Sequence, residues 1–260
     1  MRYLITFAYD GSKYSGYQKQ PDVKTVQGEL ERVLTTINNN QDVLVSASGR
    51  TDAGVHALNQ KAHFDLTIDI TADKLKLALN SLLPKDIYVK VVEEVSSDFH
   101  ARFNVKAKEY IYKINMGEYN PIEKDYIYQY NKKLDIEAIE KALILFQGTH
   151  DFKSFTKAND EKDDYVRTIV RAKLEIDGNN PQLITISFLG TGFLRYMVRN
   201  IVGLLIEIGE GKRLSSQVVD VLEACDRRCA GITARPEGLY LKDVYYENGN
   251  ILEKSPSISS

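Results

Sequence analysis

From Tyr3 to Tyr9 every second residue is apolar or aromatic: Tyr3, Ile5, Phe7 and Tyr9 share one face, and the pattern stops at the turn pair Asp10-Gly11. A strand is expected there. From Thr25 the period lengthens, and Val26, Leu30, Val33, Leu34 and Ile37 fall on one stripe, which predicts a helix with the Thr25 hydroxyl as its N-cap. Strands are expected over 43–48 and 60–66, a helix over 73–83 closed by Pro84, and a strand over 87–95. The order β-α-β-β-α-β is the ferredoxin-like arrangement.

The second half repeats this order. A strand over 108–115 leads into a long loop through Pro121, and Asp135 is placed to cap a helix running to Phe146. Strands over 166–176 and 183–189 flank the turn Asp177-Gly178-Asn179-Asn180. A strongly apolar helix over 193–208, a shorter one over 215–225 and a strand over 238–246 follow. Gly209-Glu210-Gly211-Lys212 ends the long helix and so reads as a C-cap, not a phosphate loop. The expected class is α+β: two ferredoxin/RRM-like halves (βαββαβ repeated), 1–104 and 105–248, forming a continuous, mostly antiparallel sheet flanked by helices. The seam falls near 97–106, and a polar tail occupies 249–260. A single α+β sheet without internal duplication reads in the same order.

Composition changes this picture little. The 260 residues are 43% hydrophobic and 27% charged, the balance of a globular protein. The longest apolar run, Ile201-Val202-Gly203-Leu204-Leu205-Ile206, is far short of the roughly 20 residues that span a bilayer. The N-terminus shows no secretory signal, so a cytoplasmic location is expected. The two cysteines, Cys225 and Cys229, have no histidine beside them, and the four histidines have no metal-ligand spacing; no metal is expected. Net charge is −2, with 34 basic against 36 acidic residues, which argues against holding nucleic acid by bulk charge but leaves room for a local basic cleft.

Signatures for nucleotide cofactors, metalloproteases and serine hydrolases are missing. The densest group of chemically capable side chains is Ser48 to His56. Asp52 sits in a turn-forming segment with Arg50 two positions before it, and a carboxylate beside a guanidinium stays ionised, as a nucleophile or general base requires. Gly49 and Gly54 allow sharp bends and close approach. The spacing equally suits a plain turn, with Asp52 capping a short helical turn over 53–57 and Arg50 as its surface partner.

Gly49-Arg50-Thr51-Asp52-Ala53-Gly54-Val55-His56-Ala57 resembles the active-site motif of the tRNA pseudouridine synthase A family. The likeness runs along nearly the whole chain. It includes Tyr9-Asp10-Gly11-Ser12-Lys13-Tyr14-Ser15-Gly16-Tyr17-Gln18-Lys19-Gln20, Val26-Gln27-Gly28-Glu29-Leu30-Glu31 and Phe99-His100-Ala101-Arg102-Phe103. It continues in Lys108-Glu109-Tyr110-Ile111-Tyr112, Gly148-Thr149-His150-Asp151-Phe152 and the stretch from Phe193 to Gly203. Two departures stand out: Tyr17 replaces the usual Trp or Phe, and Arg235 in Thr233-Ala234-Arg235-Pro236-Glu237-Gly238-Leu239 replaces a common Pro.

The resemblance implies the pseudouridine synthase fold and a cofactor-independent isomerase that converts uridine to pseudouridine at positions 38, 39 and 40 of the tRNA anticodon arm. By the same resemblance Asp52 is the nucleophile, Arg199 positions it, Arg50 helps extrude the base and Tyr110 stacks on the uracil. Lys19, Arg102, Arg195 and Arg235 are candidates for the RNA backbone; a homodimer with tRNA lying across both subunits is implied as well. From the residues alone, Tyr110 reads equally as a core aromatic sharing a face with Tyr112. Arg195 and Arg199, one turn apart on the expected helix, read equally as snorkelling surface cations. The reaction is redox-neutral without net hydrolysis, which agrees with the missing cofactor signatures. A two-fold RRM-like RNA binder would need an aromatic RNP1 strand, which is not found. A carboxylate hydrolase would need a second acid near Asp52.

Overall fold

The computed structural model describes residues 1–157 and 164–246; the expected tail over 249–260 lies outside the described residues. The first half runs β1 (Arg2–Tyr9), α1 (Val26–Ile37), β2 (Ser46–Ala47), β3 (His56–Asp65), α2 (Ala72–Leu82) and β4 (Ile87–Glu94). The second runs β5 (Ala107–Asn115), β6 (Tyr128–Gln129), α3 (Ile136–Leu145), β7 (Gly148–Asp151), β8 (Val166–Ile176), β9 (Leu183–Gly190), α4 (Met197–Gly209), α5 (Gln217–Ala224) and β10 (Leu239–Tyr245). The strands make one sheet in the order β4-β1-β3-β10-β5-β9-β8-β7, with β2 on β3 and β6 on β5. The neighbours β4-β1-β3-β2 and β10-β5-β9-β8 repeat one spatial order, last, first, third, second, which is the ferredoxin pattern twice over. All pairs are antiparallel except β5–β6 and β3–β10, where Tyr240 and Leu241 lie beside His56 and Ala57 and join the two halves.

Alternation and amphipathicity explain the core. Tyr3, Ile5, Phe7 and Tyr9 are all buried, as are Val26, Leu30, Val33 and Leu34 of α1. Thr25 accepts from the Gly28 amide and Asp135 from the Ala138 amide, so both expected caps form. Helix α4 is buried on nearly every side, from Met197 and Val198 to Ile208, as its apolar composition demands. Its end forms the expected C-cap, with Gly211 at φ +72°.

Strands β6 and β7 have no expected counterpart, and three expected elements change for reasons visible in the structure. The strand over 43–48 shrinks to two residues, because α1 side chains capture its backbone: Glu31 accepts from the Val45 amide and Thr35 from the Val43 amide. Strand β3 begins at His56, four residues early, because Tyr9 of β1 pairs with Ala57. Helix α4 starts at Met197 and not at 193. Tyr196 adopts a left-handed backbone (φ +65°), and the Arg195 carbonyl accepts from the Lys157 amide, outside any helix.

Candidate active site

Asp52 lies in the connection from β2 to β3, and its neighbours fix the backbone. The Thr51 hydroxyl is paired with Tyr9 (2.8 Å), the Thr51 carbonyl accepts from the Tyr17 amide (3.1 Å), and the Ser48 hydroxyl donates to Gln60 (2.6 Å). The Val55 amide closes a turn onto the Asp52 carbonyl, with Gly54 at φ +77°. The short helical turn over 53–57 does not form, since His56 and Ala57 already belong to β3.

Arg50 is not the guanidinium beside Asp52; it is exposed and donates to Gln18 (2.7 Å). That place is taken by Arg199, whose Nη1 is 3.4 Å from Asp52 Oδ2, and by Arg195, whose Nε is 3.8 Å from Oδ1. Arg199 also donates from Nε to the Ala234 carbonyl (2.8 Å), and the Ala234 amide returns a bond to the Arg199 backbone carbonyl, so backbone and side chain are both tied to Ala234. The Tyr196 ring packs near both guanidiniums, 5.5 Å and 5.1 Å from their centres. Arg195 and Arg199 therefore converge on one carboxylate although only Arg199 is in α4.

Burial pushes the Asp52 carboxyl above the ordinary aspartate value, and the nearby Arg199, Arg195 and Lys157 pull it back only in part. The direction is opposite to the one expected from a guanidinium neighbour alone. Tyr110, on β5, is buried and sets its ring edge-on to Phe193 (centroids 5.0 Å apart). Burial, then Tyr9 and Asp52, push its hydroxyl up, so it stays protonated across the physiological range.

These groups line one cleft of about 880 Å³. Among the described residues seven cations face it (Lys19, Arg50, Arg102, Lys108, Arg167, Arg195 and Arg199), and Asp52 is the single carboxylate in its lining. A chain of net charge −2 thus concentrates positive charge where a polyanion could enter. Lys19, Arg102 and Arg195 of the expected backbone contacts lie in the cleft; Arg235 does not, and its carbonyl accepts from the Tyr112 hydroxyl (2.7 Å). Of the other basic positions, Lys24, Lys212, Arg213 and Arg228 are paired with Asp86, Glu210, Glu207 and Asp226. His56 turns away from the cleft: its Nδ1 accepts from the Gly11 amide and its ring stacks on Tyr240. Among the described residues no cluster of three or more His, Cys, Asp or Glu is placed to hold a metal ion, and no helix is long and apolar enough to cross a membrane. Lys108, which the sequence pattern does not single out for a role, also lines the cleft; its place two before Tyr110 on a strand, hence on the same face, is the signal for it.

The family model described as tRNA pseudouridine synthase matches residues 5–104 and 142–247. The chain is similar to a protein named tRNA pseudouridine synthase A from Geobacillus sp. (strain WCH70), 48% identical and covering 95% of this chain and 99% of that one. The like-named protein of Geobacillus kaustophilus (strain HTA426) is 49% identical, with 95% of each chain covered. That of Streptococcus gordonii (strain Challis / ATCC 35105 / BCRC 15272 / CH1 / DL1 / V288) is 42% identical, with 95% and 99% covered. The chain belongs to the tRNA pseudouridine synthase family, a family of isomerases.

Proposed function

We propose that this protein isomerises uridine to pseudouridine at positions 38, 39 and 40 of the tRNA anticodon arm, in the cytoplasm, with Asp52 as the nucleophile. The observation that carries the reading is that, among the described residues, Asp52 is the one carboxylate in a cleft lined by seven cations, flanked by Arg199 and Arg195. The half over 1–104 contributes Asp52, and the half over 105–248 contributes Tyr110, Arg195 and Arg199.

The target uridine leaves its stack, which costs a few kcal/mol, with Arg50 occupying the space it vacates. Stacking on Tyr110 returns about 1–3 kcal/mol. The Asp52 carboxylate then adds either to the ribose C1′ or to the base C6. The bond from N1 to C1′ breaks, uracil turns, C5 bonds to C1′, and the bond to Asp52 breaks with its electron pair returning to the carboxylate. The C5 proton leaves and N1 takes up a proton, so atoms and electrons balance with no co-reactant. Arg199 positions the carboxylate throughout; Lys19, Arg102 and Arg195 face the backbone phosphates, and Arg235 could meet RNA only outside the cleft. Two copies of the chain, with tRNA across both, complete the reading.

A carboxylate hydrolase finds little support, because among the described residues the cleft holds no second acid to partner Asp52. The test is tritium release from unmodified tRNA labelled at uracil C5. The wild-type protein should release it from the anticodon-arm uridines, and Asp52→Ala should bind tRNA without release. Release from none of these tRNAs would overturn the proposed reaction, and activity in Asp52→Ala would overturn the nucleophile.

A further inference from the structure

The cations of the cleft are not equivalent. Lys19 is paired with Glu31, Arg167 with Asp164, and Arg195 and Arg199 with Asp52, while Arg50 is held by Gln18. Among the described residues the Arg102 guanidinium makes no hydrogen bond or ion pair, and Lys108 makes a single bond, from Nζ to the Ser48 carbonyl (2.7 Å). Both line the cleft, and the charge of Arg102 bears on the Lys108 ammonium.

We propose that Lys108 and Arg102 together form a phosphate site beside Tyr110, taking a backbone phosphate that flanks the target uridine; the inference rests on the tRNA reading above. Lys108 is two residues before Tyr110 on the same face of β5, about 6.6 Å along the strand, the reach of one nucleotide from base to phosphate. An ammonium has three donors, and Ser48 uses one, so two remain for an anion. Gly49 makes the position possible, because a Cβ there would stand 2.6 Å from the Lys108 nitrogen. Burial and the facing Arg102 push the Lys108 ammonium down to about 8. A phosphate bound between the two would relieve both effects, replacing lost water with charge-assisted hydrogen bonds. The same contact draws the Ser48–Asp52 segment and the RNA backbone to one point.

The test uses the full chain, an unmodified tRNA transcript and synthetic anticodon stem-loops with a neutral methylphosphonate at either phosphate flanking the target uridine. Lys108→Met should weaken binding about tenfold and lower the slope of log affinity against log salt by about 1. Arg102→Met, at an exposed position that folding tolerates, should do the same. Because both serve one phosphate, the double variant should lose less than the product of the two single losses. One of the two methylphosphonates should weaken binding by the wild type and leave the double variant unaffected, and Lys108→Arg should retain most of the affinity. Losses that simply multiply, or a methylphosphonate effect of equal size in the wild type and the double variant, would overturn the site. A slower reaction at saturating tRNA with affinity and salt slope unchanged would also overturn it, leaving Lys108 as a support for the Asp52 segment. A wild type that isomerises no tRNA would refute the underlying substrate reading instead, so the two failures can be told apart.

Discussion

Replacing Arg199 by methionine removes the guanidinium 3.4 Å from Asp52 while keeping an unbranched chain in a helix whose neighbours are apolar. At an effective dielectric of about 20, two unit charges at that distance attract by about 5 kcal/mol. Not all of this should appear in the rate. Arg195 remains 3.8 Å from the other carboxylate oxygen, and both side chains of the pair keep some contact with water, 13% for Arg199 and 19% for Asp52. A share of about 2 kcal/mol is expected, which corresponds to a roughly 30-fold fall in kcat/KM. The pH dependence gives a second readout. Burial already holds the Asp52 carboxyl above its ordinary value against the pull of Arg199 and Arg195, so loss of Arg199 moves it further up. The proposed reaction needs the carboxylate, so the acid limb of the kcat/KM profile should shift to higher pH and the deficit should be widest below neutrality. Arg199→Lys should restore only part of the rate, because one ammonium cannot reproduce the fork that holds both Asp52 and the Ala234 carbonyl. Tritium release measured from pH 5 to 8 checks both expectations. A folded Arg199→Met protein with an unmoved acid limb and a rate within about twofold of wild type would refute the assignment of Arg199 as the positioning residue.

Arg50→Ala offers the contrasting case: Arg50 touches Gln18 and not Asp52, so activity should fall with the acid limb left in place, and a shifted limb would contradict this geometry. Asp52→Asn should be inactive, yet its unfolding temperature at pH 7 should equal or exceed that of the wild type. The raised Asp52 carboxyl means that folding disfavours its ionised form, so wild-type stability recovers relative to the variant as pH falls through the folded value. Thermal melts at pH 7 and near pH 4 test this, and a variant less stable at pH 7 would count against it. The Tyr17 hydroxyl is buried and has no hydrogen-bond partner among the described residues, so Tyr17→Phe removes a cost of about 1 kcal/mol. The melting temperature should rise by roughly 2–4 °C for a chain of this size; a fall of similar size would show that the hydroxyl is satisfied.

Much of this protein is decided over short stretches of chain. Alternation fixes the face of β1, a 3.6-residue stripe fixes that of α1, and Thr25 and Asp135 cap their helices through bonds only three residues long. The motif around Asp52 and the distant Tyr110 and Arg199 could likewise be read as sequence, since each resides in a local pattern resembling one family. Local rules fail where a backbone group or a charge finds its partner far away. The 43–48 strand lost its ladder to Glu31 and Thr35, and the first turn expected of α4 was undone by bonds to residues 156 and 157. The same is true of charge. The cation of Asp52 is Arg199, 147 positions away, rather than Arg50 two positions away, and the net direction of the Asp52 carboxyl is set by burial, which no spacing encodes. Lys108 reads as an ordinary strand lysine until the fold brings Gly49 against it and sets it in one cleft with Arg102. Sequence determined which side chains were available and which way each element faces. Tertiary structure alone decided which charges meet, because desolvation and Coulomb energy depend on distances in space.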